Sequence, residues 1–290
     1  MKIVLIGADG QLGTDILACL RDSHEVLSWS YPGVDITRPE ELRERLMDLA
    51  PDLLINTAAY NRVDDAEQEP AAAFSLNALA VRELAILCRD SGAALMHFSS
   101  DYVFDGSART PYTEDDTPNP LSVYGVSKVS GEHFVRSILS KYYLVRTCGL
   151  YGTAGCWDKG TNFVDTMVRL GQQGGGIRVV NDQWVTPTST SELACRLKDL
   201  IETERFGLYH MTNAGECTWF EFAREIFSIL DLEPRLTEVD TAAFGAAAKR
   251  PAYSVLENRN ADRIGLQAFT SWDKALREYL VRKGHVKREY

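Results

Sequence analysis

The amino terminus joins an aliphatic run directly to a glycine-rich turn and then to a segment with helical spacing. Lys2 to Ile6 is short and apolar, which predicts a buried strand. The motif G-A-D-G-Q-L-G follows at residues 7 to 13, and leucines and an isoleucine then recur on one helical face. Strand, glycine turn and helix in this order are typical of a dinucleotide-binding unit, which belongs to a doubly wound α/β sheet.

Each glycine of the turn has a predicted use. Gly7 and Gly10 would allow a tight turn and the close approach of a pyrophosphate, and Gly13 would let the helix pack against the strand. The helix that starts near Gln11 and Leu12 would offer free N–H groups and the positive end of its dipole to the phosphates. A glycine-rich turn with no ligand remains the alternative.

The first half of the chain alternates strands with helices. Four more apolar runs predict strands at His24–Trp29, Asp52–Asn56, Ala93–Phe98 and Tyr142–Arg146. This alternation predicts an α/β fold, a Rossmann-like doubly wound parallel sheet over residues 1–150. The alternation weakens afterwards, so residues 151–290 are expected to form mainly a smaller C-terminal substrate-binding lobe. Strands near 177–180 and 208–211 are expected to return to the main sheet.

Small and polar residues follow several of these strands, at the end where ligands bind in such sheets. Ser100 follows the fourth strand and is expected to face the cofactor crevice, whereas Ala58 and Ala59 would let a cofactor lie against the backbone. Asp35 and Ile36 could hold the adenine. Residues 28–30 at the end of the second strand include neither an acid nor an arginine, so both NADPH and NADH remain open as cofactor.

Tyr124 and Lys128 are four residues apart in a predicted helix, so they lie on one face. A phenol is a poor acid or base at neutral pH, and a nearby ammonium lowers its pKa toward the working range. The pair therefore predicts a proton-transfer device, although such spacing also occurs on solvated helix faces. Asn77, on a predicted helix, could be a surface amide or a brace for this site.

Several motifs together resemble those of extended short-chain dehydrogenases/reductases and, within that group, of dTDP-4-dehydrorhamnose reductases. The resemblance covers nearly the whole chain. Its generic part is the glycine turn and the Y-x-x-x-K motif. It also includes V-D-D-A-E at 63–67. Its more specific part comprises S-S-D-Y-V-F-D-G at 99–106, D-Q at 182–183 with P-T at 187–188, and R-P at 250–251.

The resemblance implies reduction of the 4-keto group of dTDP-4-dehydro-6-deoxy-L-mannose to dTDP-L-rhamnose. Tyr124 would donate the proton, Lys128 would lower its pKa and hold the nicotinamide ribose, and Ser100 would bind the keto oxygen. The expected cofactor contacts are Gly7, Gly10, Gln11, Leu12, Gly13, Asp35, Ile36, Ala58, Ala59, Tyr60, Asn61, Ser99, Tyr124 and Lys128. The expected substrate contacts are Val63, Ser100, Asp101, Tyr124 and Arg250, the last on the diphosphate.

One position departs from the family pattern. Gly149 stands where well-known members carry a tryptophan that packs on the sugar, so the exact sugar is left open. One wall of the sugar pocket is therefore expected to be open or filled from elsewhere. Tyr151, Trp157 and Trp184 are the available aromatics, each of them better explained as a core residue.

Composition limits the partners. The 290 residues carry a formal net charge of −10, which disfavours nucleic acid and anionic membranes. No apolar run is expected to span a membrane, no cysteine pair has metal-ligand spacing, and scattered cysteines suit the cytoplasm. The resemblance allows a homodimer. Two alternatives to the reductase remain: a sister reductase or epimerase of nucleotide sugars, and a non-catalytic regulatory subunit related to that of methionine adenosyltransferase.

Overall fold

The computed structural model describes residues 1–155 and 160–287. Its strands are β1 Lys2–Ile6, β2 Glu25–Trp29, β3 Leu53–Asn56, β4 Ala94–Ser100, β5 Tyr142–Thr147, β6 Leu150–Tyr151, β7 Gly176–Val180, β8 Trp184–Val185, β9 Thr188–Ser189, β10 Gly207–His210, β11 Cys217–Thr218 and β12 Arg235–Val239. Its helices are α1 Gln11–Leu20, α2 Pro39–Leu49, α3 Val63–Ala66, α4 Pro70–Phe74, α5 Ala80–Ser91, α6 Val123–Ile138, α7 Phe163–Gln173, α8 Thr190–Glu202, α9 Trp219–Ile229, α10 Thr241–Phe244, α11 Arg259–Arg263 and α12 Trp272–Arg282.

Six parallel strands form the main sheet, in the order β10-β5-β4-β3-β1-β2. The central strands are mostly apolar and are buried on both faces, as parallel strands covered by helices must be. One face carries α1 and α8, and the other carries α2, α5 and α6. The predicted doubly wound α/β fold is confirmed. Strand order reverses at β1, which opens a crevice at the carboxyl ends of β1 and β3.

The second half of the chain contributes both to this sheet and to a separate lobe. β10 pairs with β5, as expected for the strand near 208–211. The expectation for residues 177–180 was wrong, because β7 pairs in parallel with β12 in a small separate sheet. The outer edge of β5 is already taken by β10. The apolar side chains of β7, Ile177 and Val179, instead pack in a second core with α7, α9 and α12.

A long helical stretch corrects one expectation from the sequence. Residues Pro70–Ser91, which include α4, a π-helical turn and α5, are long and apolar enough to cross a membrane by length and composition. Half of the apolar window in this stretch is buried within the fold. A core helix meets the same criteria, and here α5 packs Val81, Leu84 and Leu87 against the sheet.

Candidate active site

A cavity of about 910 Å³ lies at the carboxyl ends of the main-sheet strands and is closed on one side by residues of the second lobe. Most of the residues predicted for the site line it: Gly7, Gly10, Gln11, Leu12, Asp35, Ile36, Ala58, Ala59, Tyr60, Asn61, Val63, Ser99, Ser100, Asp101, Tyr124 and Lys128. Two do not. Gly13 lies behind the glycine loop, and Arg250 lies outside the lining.

The glycine loop has the shape that a dinucleotide requires. A Cβ on Gly13 would stand 2.0 Å from the carbonyl oxygen of Gly7, so only glycine lets α1 approach the loop this closely. Gly10 caps α1 with extended backbone and no side-chain hydrogen bond, which leaves the first-turn N–H groups to the cavity. Free N–H groups at a helix N-terminus suit a pyrophosphate, so the residues present fit the dinucleotide.

The predicted proton-transfer pair lies at the start of α6. Ser122 caps this helix by accepting a hydrogen bond from the Gly125 N–H at 3.2 Å. Tyr124 and Lys128 are then one turn apart, 8% and 2% exposed. Burial lowers the pKa of Lys128 to about 8, and the charge of Glu132, one turn further, acts in the opposite direction. The cavity therefore holds a phenol and a buried cation on one helix face.

Ser100 and Asp101 end β4 beside this pair. The Ser100 hydroxyl donates to Asp101 Oδ1 at 2.9 Å and accepts from the Tyr102 N–H at 3.1 Å. The thiol of Cys148 donates to Asp101 Oδ2 at 3.1 Å. Burial raises the pKa of Asp101, although these hydrogen bonds act against it. The carboxyl thus fixes the direction of the Ser100 side chain within the cavity.

Two buried hydroxyls in the lining have unused hydrogen-bonding capacity. Within residues 1–155 and 160–287, neither Ser99 Oγ nor Thr147 Oγ1 has a hydrogen-bond partner. Both line the cavity, on the neighbouring strands β4 and β5. Buried polar groups are normally satisfied, so a bound ligand would complete them. Ser99 was predicted as a cofactor contact, whereas Thr147 was missed, because one threonine at a strand end carries no distinctive signal.

Asn77 is a brace rather than a surface amide. Its side chain is buried in the π-helical turn before α5. Asn77 Oδ1 accepts from the Tyr60 N–H at 2.9 Å, and Nδ2 donates to the Tyr60 carbonyl and to Ser127 Oγ at 3.0 Å each. It therefore ties the loop after β3 to α6, at a position between Tyr124 and Lys128.

Arg250 is held by an acid of the V-D-D-A-E segment. Its guanidinium donates to both carboxylate oxygens of Asp64, at 3.0 and 2.7 Å, and its side chain is mostly buried. This pair lowers the pKa of Asp64, and it fastens the segment after α10 to α3, beside Val63. The predicted contact between Arg250 and a diphosphate stays a prediction.

The wall next to Gly149 is occupied by an aromatic that the sequence did not single out for this role. Trp219, the first residue of α9, lines the cavity near Gly149. Tyr151 is a core residue, and Trp184 lies outside the lining. Trp157 falls outside the described residues. The opening of a helix at residues 218–221 could be read from the sequence, but its position over the cavity could not.

No metal site is found in the part of the chain that the structure describes. No group of three or more histidine, cysteine, aspartate or glutamate side chains there is placed to hold an ion.

Comparison with known proteins agrees with this geometry. The family described as "RmlD substrate binding domain" matches residues 1–284. A probable dTDP-4,6-dihydroxy-2-methyloxan-3-one 4-ketoreductase of Streptomyces antibioticus is 41% identical, over 96% of this chain and 94% of that protein. A dTDP-4-dehydrorhamnose reductase of Streptomyces griseus is 38% identical, over 95% and 91%. The crystal structure of dTDP-4-dehydrorhamnose reductase from Bacillus anthracis in complex with NADP superposes with a TM-score of 0.92, at 37% identity, over 97% of this chain and all of that one.

Proposed function

The chain belongs to the RmlD substrate-binding-domain family, and on that premise we propose that it is an NAD(P)H-dependent reductase of a dTDP-4-keto-6-deoxy sugar. The substrate we assign is dTDP-4-dehydro-6-deoxy-L-mannose, and the product is dTDP-L-rhamnose. One observation carries this assignment. Ser100, Tyr124 and Lys128 line the same cavity as the glycine loop, so acid, cation and cofactor site meet in one space.

Each residue has a distinct task in the reduction. The reduced nicotinamide, when bound, supplies a hydride to the keto carbon. Tyr124 donates its phenolic proton to the former keto oxygen, so the carbonyl gains a hydride and a proton and becomes an alcohol. The Lys128 ammonium stabilises the phenolate that Tyr124 becomes. The Ser100 hydroxyl donates to Asp101 in this structure. With substrate bound, it would turn this one proton to the keto oxygen, which can only accept, and would hold that oxygen within reach of the phenol.

The cofactor site is supplied by this chain's backbone. The N–H groups at the start of α1 would bind the pyrophosphate, and Asp35 and Ile36 would lie against the adenosine. Ser99 and Thr147 offer unsatisfied hydroxyls at the opposite end of the cavity, beside the catalytic pair. The Bacillus anthracis relative binds NADP, and for this chain we propose NADPH or NADH.

The identity of the sugar that is reduced is the more specific part of the proposal. The Streptomyces antibioticus relative is named as a 4-ketoreductase of a different dTDP sugar, so both names share the reduced position but not the substituents of the ring. A sister 4-ketoreductase is therefore the second candidate. The homodimer, the cytoplasmic location and the lack of a nucleic-acid or membrane partner stay predictions.

A spectrophotometric assay tests the function directly. When the protein is mixed with NADPH and dTDP-4-dehydro-6-deoxy-L-mannose, the absorbance of NADPH should fall. The product should be dTDP-L-rhamnose, identified by chromatography against a standard. Reduction of another dTDP-4-keto sugar at a much higher kcat/KM would favour the sister reductase. Interconversion of epimers without net NADPH consumption would favour the epimerase. Tight NADPH binding with no turnover of any such sugar would favour the regulatory subunit.

A further inference from the structure

Gly149 and Trp219 form a complementary pair in the cavity wall. A Cβ placed on Gly149 would stand 3.3 Å from Trp219 Cη2 and 3.3 Å from Pro187 Cα, both tighter than ordinary contacts. Gly149 also has a φ of +54°, where side chains other than glycine are strained. The absence of a side chain at 149 therefore leaves the edge of the Trp219 ring uncovered on the cavity side.

The Trp219 ring is held firmly in this position. Thr218 and Glu221 form a capping box that fixes the start of α9, where Trp219 is the first residue. The ring packs against Phe163 with centroids 4.7 Å apart, and against Phe222 at 6.3 Å. Phe163 and Trp219 both line the cavity. An aromatic ring anchored on one side by two others presents a rigid apolar surface.

The uncovered ring lies beside the reacting end of the cavity. Gly149 comes two residues after Thr147, whose Cα pairs with that of Ser100 across β4 and β5. Ser100 is the residue assigned to the keto oxygen. A sugar whose carbonyl meets Ser100 thus has its ring within the same part of the cavity as Trp219.

We propose that Trp219 is a specificity-determining residue that contacts the hexulose ring of the substrate. The C–H face of a 6-deoxyhexulose is apolar and matches an aromatic surface, whereas a diphosphate offers no apolar face. This inference rests on the proposed function, since it assigns the wall against which that substrate lies. Gly149 permits the contact by leaving the ring uncovered.

Binding measurements separate the sugar from the nucleotide. In the presence of NADPH, Trp219→Ala should weaken binding of dTDP-L-rhamnose about tenfold, with dTDP itself bound as in the wild type. Trp219→Phe keeps an aromatic ring on the same helix and should show a smaller loss. Trp184→Ala, which removes an indole that is 37% exposed and outside the cavity lining, is the matched control and should change neither affinity.

The outcomes distinguish the two assignments. If the wild type binds dTDP-L-rhamnose and Trp219→Ala binds it equally well, or loses dTDP and dTDP-L-rhamnose to the same extent, Trp219 does not contact the sugar and only this inference fails. If the wild type binds dTDP but gains nothing from the sugar and reduces no dTDP-4-keto sugar, the proposed function fails with it.

A second and independent feature is a pair of thiols between two packed helices. Cys19 Sγ in α1 and Cys195 Sγ in α8 are 3.5 Å apart, and Cys195 is exposed. Their hydrogen bond lowers the pKa of Cys195 and raises that of Cys19. A thiolate at Cys195 is a better nucleophile than the protonated Cys19. The geometry thus provides a reactive thiol with a second thiol beside it.

We infer that Cys19 and Cys195 form a modification site for low-molecular-weight disulfides. The Cys195 thiolate attacks one sulfur of the disulfide, forming a mixed disulfide and releasing one thiolate. Cys19, on losing its proton, then attacks Cys195 Sγ and releases the second thiolate. Two protein thiols are oxidised, one external disulfide is reduced to two thiols, and α1 becomes linked to α8.

Oxidised glutathione is the probe. Cys156 lies outside the described residues, so the folded protein is used in a Cys156→Ser background. Peptide mapping should recover a Cys19–Cys195 disulfide and no lasting adduct, whereas Cys19→Ser should retain glutathione on Cys195 and Cys195→Ser should remain unmodified at Cys19. A stable glutathione adduct on Cys195 when Cys19 is present, or no reaction at either thiol, would overturn the inference.

Discussion

The ammonium of Lys128 donates a hydrogen bond to the carbonyl oxygen of Phe98 at 2.7 Å. Phe98 lies in β4 two residues before Ser100, so this bond fastens α6 to the strand that carries the Ser100 hydroxyl. It also holds the cation in a position where only 2% of the residue is exposed. That burial is why the pKa of Lys128 falls to about 8.

The rate of reduction should therefore depend on pH near neutrality. Lys128 is a cation below about pH 8 and neutral above it, and only the cation stabilises the Tyr124 phenolate. We predict that kcat/KM for the sugar is level at lower pH and falls as pH rises through about 8. Lys128→Arg keeps the charge at all these pH values, so kcat/KM should fall only at a higher pH. If the fall stays at the same pH in this variant, another group is responsible for it.

Replacing the phenol should abolish turnover without loss of cofactor. Tyr124→Phe removes the only atom that donates the proton in the proposed reduction, so kcat should fall by about 10² to 10⁴. NADPH affinity, measured by fluorescence titration, should change little. Tyr143→Phe removes a phenol outside the cavity lining and serves as the control. Near wild-type kcat in Tyr124→Phe would mean that another group is the acid.

The brace at Asn77 should matter for both stability and rate. Asn77→Ala leaves the buried N–H and C=O of Tyr60 without their partner, and each unsatisfied group costs about 1–3 kcal/mol. We predict a loss of about 2–4 kcal/mol in the free energy of unfolding by urea, with a lower kcat in the folded fraction because α6 loses its tie to the β3 loop.

Asn119→Ala is the matched control, because Asn119 is exposed and its bond to Asp105 is at the surface. Its effect should stay within about 1 kcal/mol. A loss no greater in Asn77→Ala than in this control would show that Asn77 is not a brace.

Local features of the fold could be predicted from the sequence. The strands and the glycine loop were predictable because aliphatic runs and glycine spacing involve consecutive residues. The strand near Ile177 was found, but its partner was not, because pairing with residues 235–239 depends on which sheet edge is free. Thr147 and Trp219 were missed as site residues for the same reason. Their position in the cavity is set by packing between distant segments, not by any neighbouring motif.

The protein should discriminate only weakly between NADH and NADPH, which differ at the adenosine end. Asp35 lines the cavity, but its carboxylate accepts hydrogen bonds from the Thr37 N–H and hydroxyl, at 2.9 and 2.7 Å. Both bonds go to Oδ1 and lower the pKa of Asp35. Residues 28–30, at the end of β2, include neither an acid to repel a 2′-phosphate nor an arginine to attract one. We predict kcat/KM values for NADH and NADPH within about tenfold of each other, or about 1.4 kcal/mol. A thousandfold preference would point to a residue not identified among the cavity lining.

A buried ion pair fastens α6 to β5. Arg146 in β5 donates to both carboxylate oxygens of Glu132 in α6, at 2.9 and 2.7 Å, and the side chains are 1% and 3% exposed. Burial and the nearby guanidinium lower the pKa of His210 to about 3, so this imidazole is neutral and adds no charge to the pair. Glu132 thus neutralises Arg146 and also favours the charged form of Lys128.

Glu132→Gln should consequently lower the free energy of unfolding and shift the alkaline fall of activity to lower pH. The buried guanidinium loses its counter-charge, which costs about 3–5 kcal/mol in the free energy of unfolding by urea at pH 7. Glu41→Gln, whose exposed pair with Arg38 has an N–O distance of 3.4 Å, should lose less than about 1 kcal/mol and is the control. In the folded variant, the fall of kcat/KM near pH 8 should move to lower pH, because Lys128 loses the charge that raises its pKa. Equal stability losses in the two variants would contradict the buried pair, and an unmoved pH profile would contradict its coupling to Lys128.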